Sequence, residues 1–154
     1  MKYQLDFISS HHQFYLADKE TPHQTDSINF WTEQSFADNL AVEDGILGIV
    51  FQNEEEIVKC ELNILSLKTD NFNFTKYDHV VEASIDLKSG ILQILDCPNS
   101  HIELEVHIDP GEYRVRVYSN NLKSAFEDDP KDFYQIEVWK EHYSPRNVLK
   151  KFYL

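Results

Sequence analysis

Glycine is scarce in this chain, and the catalytic motifs that depend on glycine are missing with it. The sequence has 4 glycines in 154 residues. None belongs to a phosphate-binding loop or to the turn that presents a nucleophilic Ser, Cys or Thr. A carboxylate pair for glycoside hydrolysis stays an open alternative in so acidic a chain, although nothing singles out a pair. The sequence therefore predicts a protein that is not an enzyme and that uses no cofactor.

The residue patterns of metal sites are missing as well. Neither Cys-x-x-Cys nor His-Glu-x-x-His occurs. His11 and His12 are adjacent, so on a strand they point to opposite faces. His101 and His107 share one face of a strand but lie about 20 Å apart. We therefore predict no metal site among the histidines.

The chain also lacks the features of an exported or membrane protein. It has 2 cysteines, Cys60 and Cys97, each in an apolar, strand-like segment, which favours buried free thiols over a disulfide. No apolar run reaches the roughly 18 residues of a transmembrane helix. The first ten residues have no continuous apolar segment of a signal peptide. These absences predict a cytoplasmic protein that does not act at a membrane.

Positive charge is in short supply, and this shortage restricts the partners. The sequence has 14 Lys and Arg against 27 Asp and Glu, a net charge of -13. Nucleic acids and anionic membranes attract proteins through basic patches, so this balance argues against both. The excess of carboxylates suits a basic protein partner, and solubility alone is the alternative of equal weight. At this length we expect one domain, residues 1–154.

The chain does contain many segments in which apolar and polar residues alternate, as in half-buried strands. Residues 45–51 are apolar on both faces, which is typical of a central strand. Thr32 is placed to cap one short helix near residues 32–41, with Phe36 and Leu40 one turn apart on one face. We predict an all-β, single-domain antiparallel β-sandwich of about nine strands. The strand-like segments are residues 2–9, 13–16, 45–51, 57–65, 81–87, 91–96, 101–107, 112–118 and 132–139.

The tail after Lys140 is locally basic and allows two interpretations. Ser144 followed by Pro145 is typical of the start of a helix, here a short C-terminal one. The alternative is a tail that docks on the rest of the protein without forming a helix.

Two tight turns predict two hairpins. Lys88-Ser-Gly90 would join residues 81–87 to 91–96, and Ile108-Asp-Pro-Gly111 would join 101–107 to 112–118. The second turn implies the cross-strand pairs Val106–Tyr113, Glu105–Arg114 and Glu103–Arg116. Symmetric closure of the loop 119–131 adds the pairs Arg116–Gln135 and Arg114–Glu137. Arg114 and Arg116 alone would suit an anion, but these pairs make them structural members of an exposed charge ladder.

Two acidic segments between predicted strands are the first candidates for a binding site. For the second segment a solvated loop, a protein-binding surface and a calcium site are alternatives. The spacing of an EF-hand is absent, and Pro130 and Lys131 interrupt the cluster. The acidic candidates are Glu54, Glu55 and Glu56 in the first segment and Glu127, Asp128, Asp129 and Asp132 in the second.

Three aromatic residues are the second candidates. Tyr118, Phe133 and Trp139 fall on the charged faces of their predicted strands. If those faces are exposed, the three rings are suited to anchor a protein partner. If the tail after Lys140 covers them, they form a second small core.

Several segments, in order along the chain, resemble the bacterial competence protein J (ComJ) family. The resemblance spans most of the chain, which is longer than the family pattern in its loop 119–131 and its tail 140–154. The matching segments are His11-His-Gln-Phe14, Trp31-Thr-Glu-Gln-Ser-Phe-Ala37, Ala41-Val-Glu-Asp-Gly-Ile46, the strand ending at Phe51, and Pro110-Gly-Glu-Tyr-Arg-Val115 with the acidic loop and aromatic strand after it. The resemblance implies a small, acidic, cytoplasmic protein that binds and inhibits a DNA-entry nuclease. It brings no catalytic residues.

The charge and the resemblance support the same function. A nuclease presents a basic groove to phosphates, and a strongly anionic protein is suited to occupy that groove. We therefore predict a non-catalytic acidic protein that inhibits, or gives immunity to, a nuclease or another basic toxin by protein–protein contact. The alternative is a β-sandwich module that binds a small ligand, a carbohydrate or calcium through its loops. An enzyme of an unrecognised type is the third, weaker alternative.

Overall fold

Strands dominate the computed structural model, which describes residues 1–23, 25–70 and 73–153. These residues form eleven strands, one α-helix, α1 (Glu33–Asp38), and two short 3-10 helices, Phe74–Lys76 and Leu122–Phe126. The strands are β1 (Lys2–Ile8), β2 (Gln13–Asp18), β3 (Leu40–Glu43), β4 (Ile46–Val50), β5 (Ile57–Ile64), β6 (His79–Leu87), β7 (Ile91–Leu95), β8 (Ile102–His107), β9 (Gly111–Asn120), β10 (Phe133–Lys140) and β11 (Asn147–Lys150). The predicted all-β class is confirmed.

The strands form two sheets that share one hydrophobic core. Sheet A has six strands in the order β1-β5-β10-β9-β6-β11, and sheet B has five in the order β3-β4-β2-β7-β8. Alternate residues of both sheets meet in a single cluster, for example Leu16 and Ile94 of sheet B with Val115 and Ile136 of sheet A. This is the packing expected of a β-sandwich. Strand β4 lies between β3 and β2, which confirms the prediction of a central strand.

Helix α1 is shorter than predicted. Thr32 is its N-cap, as predicted, and its side chain accepts a hydrogen bond from the backbone N–H of Ser35 at 3.1 Å. The helix ends because Asn39 takes a left-handed conformation, with φ of 60°. Leu40 therefore begins β3 and is buried, while Phe36 remains 53% exposed on the helix. The predicted Phe36–Leu40 face of the helix is wrong for this reason.

Both predicted hairpins are wrong, because their turns lead the chain from one sheet to the other. Strand β6 pairs with β9 and β11 in sheet A, whereas β7 pairs with β2 and β8 in sheet B. Strand β8 lies in sheet B and β9 in sheet A. The predicted pairs Val106–Tyr113, Glu105–Arg114 and Glu103–Arg116 therefore do not form. A tight turn reverses the chain both in a hairpin within one sheet and in a connection between two sheets. The alternation of apolar and polar residues does not reveal which sheet a strand joins.

Strands β9 and β10 do pair, with a register two residues from the predicted one. Arg116 lies opposite Glu137, and Arg114 lies opposite Trp139. Because the shift is two residues, each side chain stays on its predicted face. The difference arises because β9 continues to Asn120, which pairs with Phe133. The predicted register would instead have placed Ser119 opposite Asp132.

The predicted purely antiparallel order is also wrong at one position. Strand β10 pairs in parallel with β5, with Tyr134 opposite Cys60 and Ile136 opposite Leu62. At the edge of the same sheet, the tail forms β11 against β6 rather than a helix, so it docks as the second interpretation expected. Strands β3 and β11 are the two that the sequence did not predict.

Cys60 and Cys97 are both free and buried, as predicted. Among the described residues, no helix is long and apolar enough to cross a membrane.

Candidate functional site

The two predicted acidic segments lie side by side at one end of the protein. One segment precedes β5 and the other precedes β10. Because β5 and β10 are parallel neighbours in sheet A, their first residues lie at the same end of the sheet. The two segments line one cleft of about 150 Å³, with Glu55 of the first segment and Asp128 of the second in its wall. We call the exposed residues Glu54, Glu55, Glu56, Glu127, Asp128 and Asp129 the acidic surface.

A buried hydrogen-bond network holds the two segments together. The Asn53 side-chain amide donates to both carboxylate oxygens of Asp132, at 3.0 Å each, and to the Ile57 carbonyl at 2.7 Å. The Tyr134 hydroxyl donates to Asp132 at 2.8 Å and accepts from the Gln52 backbone N–H at 2.8 Å. Burial and the neighbouring carboxylate raise the pKa of Tyr134 well above its ordinary value, so the phenol keeps its proton. The segments are therefore fixed in one arrangement.

Asp132 differs from the other acidic candidates because it lies inside the protein. It is 3% exposed, so it is not available to contact a partner. Its role in this structure is to position the acidic surface through Asn53 and Tyr134. Sequence reasoning missed Asn53, whose only signal was its place at the start of an acidic turn.

Replacing Asp132 by alanine is expected to destabilise the protein by about 1–3 kcal/mol, because buried donors of Asn53 and Tyr134 lose their acceptor. Urea denaturation measures the free energy of unfolding. Asp128→Ala removes an exposed carboxylate from the same loop and should change that free energy by less than about 0.5 kcal/mol. Equal effects of the two replacements would show that the buried network does not hold the loops.

Carboxylates outnumber cations at the acidic surface. Lys131 donates to Asp129 at 2.8 Å, and this bond and charge hold the pKa of the Asp129 carboxyl below its usual range. Lys59 lines the same cleft. His12 Nε2 lies 3.7 Å from a Glu54 oxygen. With Lys123 of the same loop, three lysines face six exposed carboxylates, which leaves this end of the protein anionic.

The calcium alternative concerned Glu127, Asp128, Asp129 and Asp132. Within residues 1–23, 25–70 and 73–153, no group of three or more His, Cys, Asp or Glu side chains is placed to hold a metal ion. Asp132, the fourth acid of the predicted cluster, already accepts hydrogen bonds from Asn53 and Tyr134.

The three aromatic candidates lie away from the solvent to different degrees. Tyr118 and Trp139 are each 2% exposed, and Phe133 is half-buried. The Tyr77 ring packs 4.6 Å from the Tyr118 ring, and Leu149 of β11 packs against the same cluster. Tyr118 and Trp139 are therefore not exposed anchors. They belong to a second, covered layer on the outer face of sheet A.

The two arginines are part of this covered layer. Arg114 and Arg116 are 1% and 6% exposed, and each donates its Nε–H to a different oxygen of Glu82, at 3.0 and 2.8 Å. The exposed ladder with Glu103, Glu105 and Glu137 was the wrong prediction, although the structural role of the arginines is confirmed. Glu82, which sequence reasoning missed, bridges the two arginines, and the buried Glu137 lies opposite Arg116 on β10. The only signal of Glu82 was its polar position in an alternating strand.

The arginines also bind the irregular segments that cover them. Arg114 donates to the carbonyl oxygens of Ser144 and Pro145 in the tail, at 2.7 and 2.9 Å. Arg116 donates to the carbonyl of Thr69 at 2.9 Å. Irregular backbone that packs on a protein must find partners for its carbonyls, and here the guanidinium groups supply them.

Comparisons with known proteins agree with this fold. Neither the protein-family models nor the curated proteins give a match. Two solved structures do. The crystal structure of ComJ from Bacillus subtilis, an inhibitor of the DNA-degrading activity of NucA, matches with a TM-score of 0.68 and 18% identity, over 90% of this chain and 96% of that one. The protein of crocagin biosynthetic gene J matches with a TM-score of 0.56 and 19% identity, over 92% of this chain and 98% of that one. The chain therefore has a ComJ-like fold.

Proposed function

We propose that this protein inhibits a DNA-degrading nuclease by binding to it, without catalysis of its own. The observation that carries the proposal is the acidic surface, six exposed carboxylates held together on a ComJ-like fold. The ComJ of Bacillus subtilis inhibits the DNA-degrading activity of NucA. The absence of catalytic motifs from the sequence agrees with a binding role.

The physical basis of the inhibition is charge complementarity. A nuclease must attract the phosphates of DNA, so its substrate groove is basic. The exposed carboxylates of the acidic surface present the same sign of charge as phosphates, on a chain with a net charge of -13. Bound in the groove, they exclude the DNA. The attraction acts before contact, so it also raises the rate of association.

Within this proposal the partner is a basic protein and the compartment is the cytoplasm, where the free thiols of Cys60 and Cys97 are stable. A small-ligand function has less support at the acidic surface. The cleft there has a volume of about 150 Å³, below the roughly 300–1,000 Å³ of ligand pockets.

The test uses the purified protein and the nuclease of the same cell that is most similar to NucA. We expect the protein to slow DNA degradation in proportion to its concentration. We also expect the direct complex, measured by calorimetry without DNA, to weaken as salt rises from about 50 to 500 mM, because salt screens exposed charges. Absence of a complex at low salt would overturn the proposal. Calorimetry without DNA separates this effect from the salt dependence of the nuclease itself.

A further inference from the structure

A second surface feature lies next to the acidic surface. It is an open cavity of about 700 Å³ on the outer side of sheet B. We call it the aromatic cavity. Its lining residues include Tyr15, Trp31, Phe36, His11, Asp26 and Pro98.

The aromatic wall of the cavity is a row of rings built on sheet B. Tyr15 of β2 packs against Phe30, Phe30 against Trp31, and Trp31 stacks on Phe36 of α1 with 5.0 Å between ring centroids. Gly48 makes room for this row, because a Cβ atom there would lie 2.6 Å from Trp31 and 3.0 Å from Phe30. The outer ring, Phe36, is 53% exposed. A flat apolar surface is therefore open to the solvent.

The wall of the cavity holds one carboxylate, that of Asp26, together with the imidazoles of His11 and His23. Asp26 has no ion-pair partner among the residues that the structure describes. Lysine and arginine are missing from the lining residues. A carboxylate beside exposed aromatic faces favours a planar cation, because a guanidinium stacks on rings and donates to a carboxylate at the same time. An ammonium group is less well suited, since it does not stack.

The aromatic cavity and the acidic surface are joined by a single turn. Ser10 donates its backbone N–H to the Cys97 carbonyl at the cavity, at 2.9 Å, and its hydroxyl to Glu56 of the acidic surface, at 3.4 Å. His11 lines the cavity, and the next residue, His12, lies beside Glu54. The mouth of the cavity therefore borders the acidic surface.

We propose that the aromatic cavity binds an arginine side chain of the same basic partner that covers the acidic surface, which makes this inference rest on the proposed function. The guanidinium stacks on the exposed face of Phe36, the ring that Trp31 supports from behind, and donates to the Asp26 carboxylate. Buried arginines and aromatic rings are frequent sites of high binding energy at interfaces. The acidic surface then governs how fast the partner associates, and the cavity governs how long it stays.

Two replacements test the cavity in the complex with the nuclease. Phe36→Ala removes an exposed ring, and Asp26→Asn removes the charge with little change of shape. Each is expected to raise the dissociation rate about tenfold, as loss of a strong interface contact does, with the association rate nearly unchanged. Glu33→Gln on α1, an exposed acid outside the cavity lining, is the matched control and should leave both rates unchanged. Unchanged dissociation rates for both cavity variants would overturn the inference while leaving the proposed function standing.

A nuclease-free measurement tests the cavity by itself. N-acetyl-arginine methylamide is titrated into the labelled protein and followed by the NMR signals of the Trp31 indole and the Phe36 amide. The neutral citrulline analogue, which has nearly the same shape, is the control. We expect saturable shifts with the arginine compound that Asp26→Asn abolishes, and we expect none with citrulline. Equal shifts with both compounds, or none with either, would overturn the inference. Saturable arginine binding in a protein that does not bind the nuclease would support the cavity and reject the proposed function.

Discussion

Replacing Glu127, Asp128 and Asp129 together by lysine is expected to slow association with the nuclease by about 10- to 1,000-fold at low salt, the range covered by electrostatic steering. All three side chains are exposed, so the fold should remain intact. The replacement reverses half of the acidic surface. The new lysines repel the basic groove and also pair with the remaining glutamates of the first segment. Stopped-flow association rates over a series of salt concentrations measure the effect.

A matched triple variant separates local charge from net charge. The variant replaces three exposed acids in turns at the opposite end of the sheets, Glu20, Asp44 and Asp109. Hydrogen bonds from Asp18 N–H to the Gly45 carbonyl and from Ile108 N–H to the Gly90 carbonyl hold these turns close together. Replacement of the three acids by lysine changes the net charge by the same amount. We expect a much smaller loss of association rate. Equal losses would mean that only the overall charge attracts the partner, and an unchanged rate in the first variant would remove the loop from the mechanism.

Replacing Glu82 by alanine is expected to lower the free energy of unfolding by about 3–5 kcal/mol, because two buried guanidinium groups lose the carboxylate that bridges them. Arg114 and Arg116 each donate to one of its two oxygens, and the Glu82 side chain is 14% exposed. The loss also weakens the attachment of the tail and of the segment around Thr69, whose carbonyls the same guanidinium groups bind. Urea denaturation measures the change.

Two further variants control this prediction. Glu103→Ala removes an exposed glutamate from a strand of the other sheet and should cost less than about 0.5 kcal/mol. Glu82→Gln keeps the shape of the side chain and removes its charge. It should lower the free energy of unfolding by less than the alanine replacement does, so it can be measured if the alanine variant does not fold. Loss of less than about 1 kcal/mol in both Glu82 variants would contradict a central role of the ion pairs.

The candidate site was predictable in its parts and unpredictable in its assembly. Glu54 and Asp128 were recognisable as exposed acids because each lies in a polar segment between alternating strands. Their proximity depends on the parallel pairing of β5 with β10, which no local pattern indicates. The buried role of Asp132 depends on Asn53, which lies 79 positions away in the sequence.

The covered face of sheet A shows the same limit. Alternation correctly placed Arg116, Tyr118 and Trp139 on the faces opposite the core. It could not show that the segment around Thr69 and the tail after Lys140 cover those faces. An alternating strand reads the same whether its polar face meets water or a docked segment. The buried arginines therefore looked exposed in the sequence.

The sequence by itself determined the all-β class, most of the strands, the Thr32 cap, the excess of negative charge and the absence of familiar catalytic motifs. These follow from composition and from patterns a few residues long, which depend on local backbone geometry and burial of one face. Only the tertiary structure decided which strands pair, which turns cross between the sheets, and which charges are buried. Those outcomes depend on packing between residues far apart in the chain. The acidic surface is the result of both, since the sequence supplies its carboxylates and the parallel pair β5–β10 brings them together.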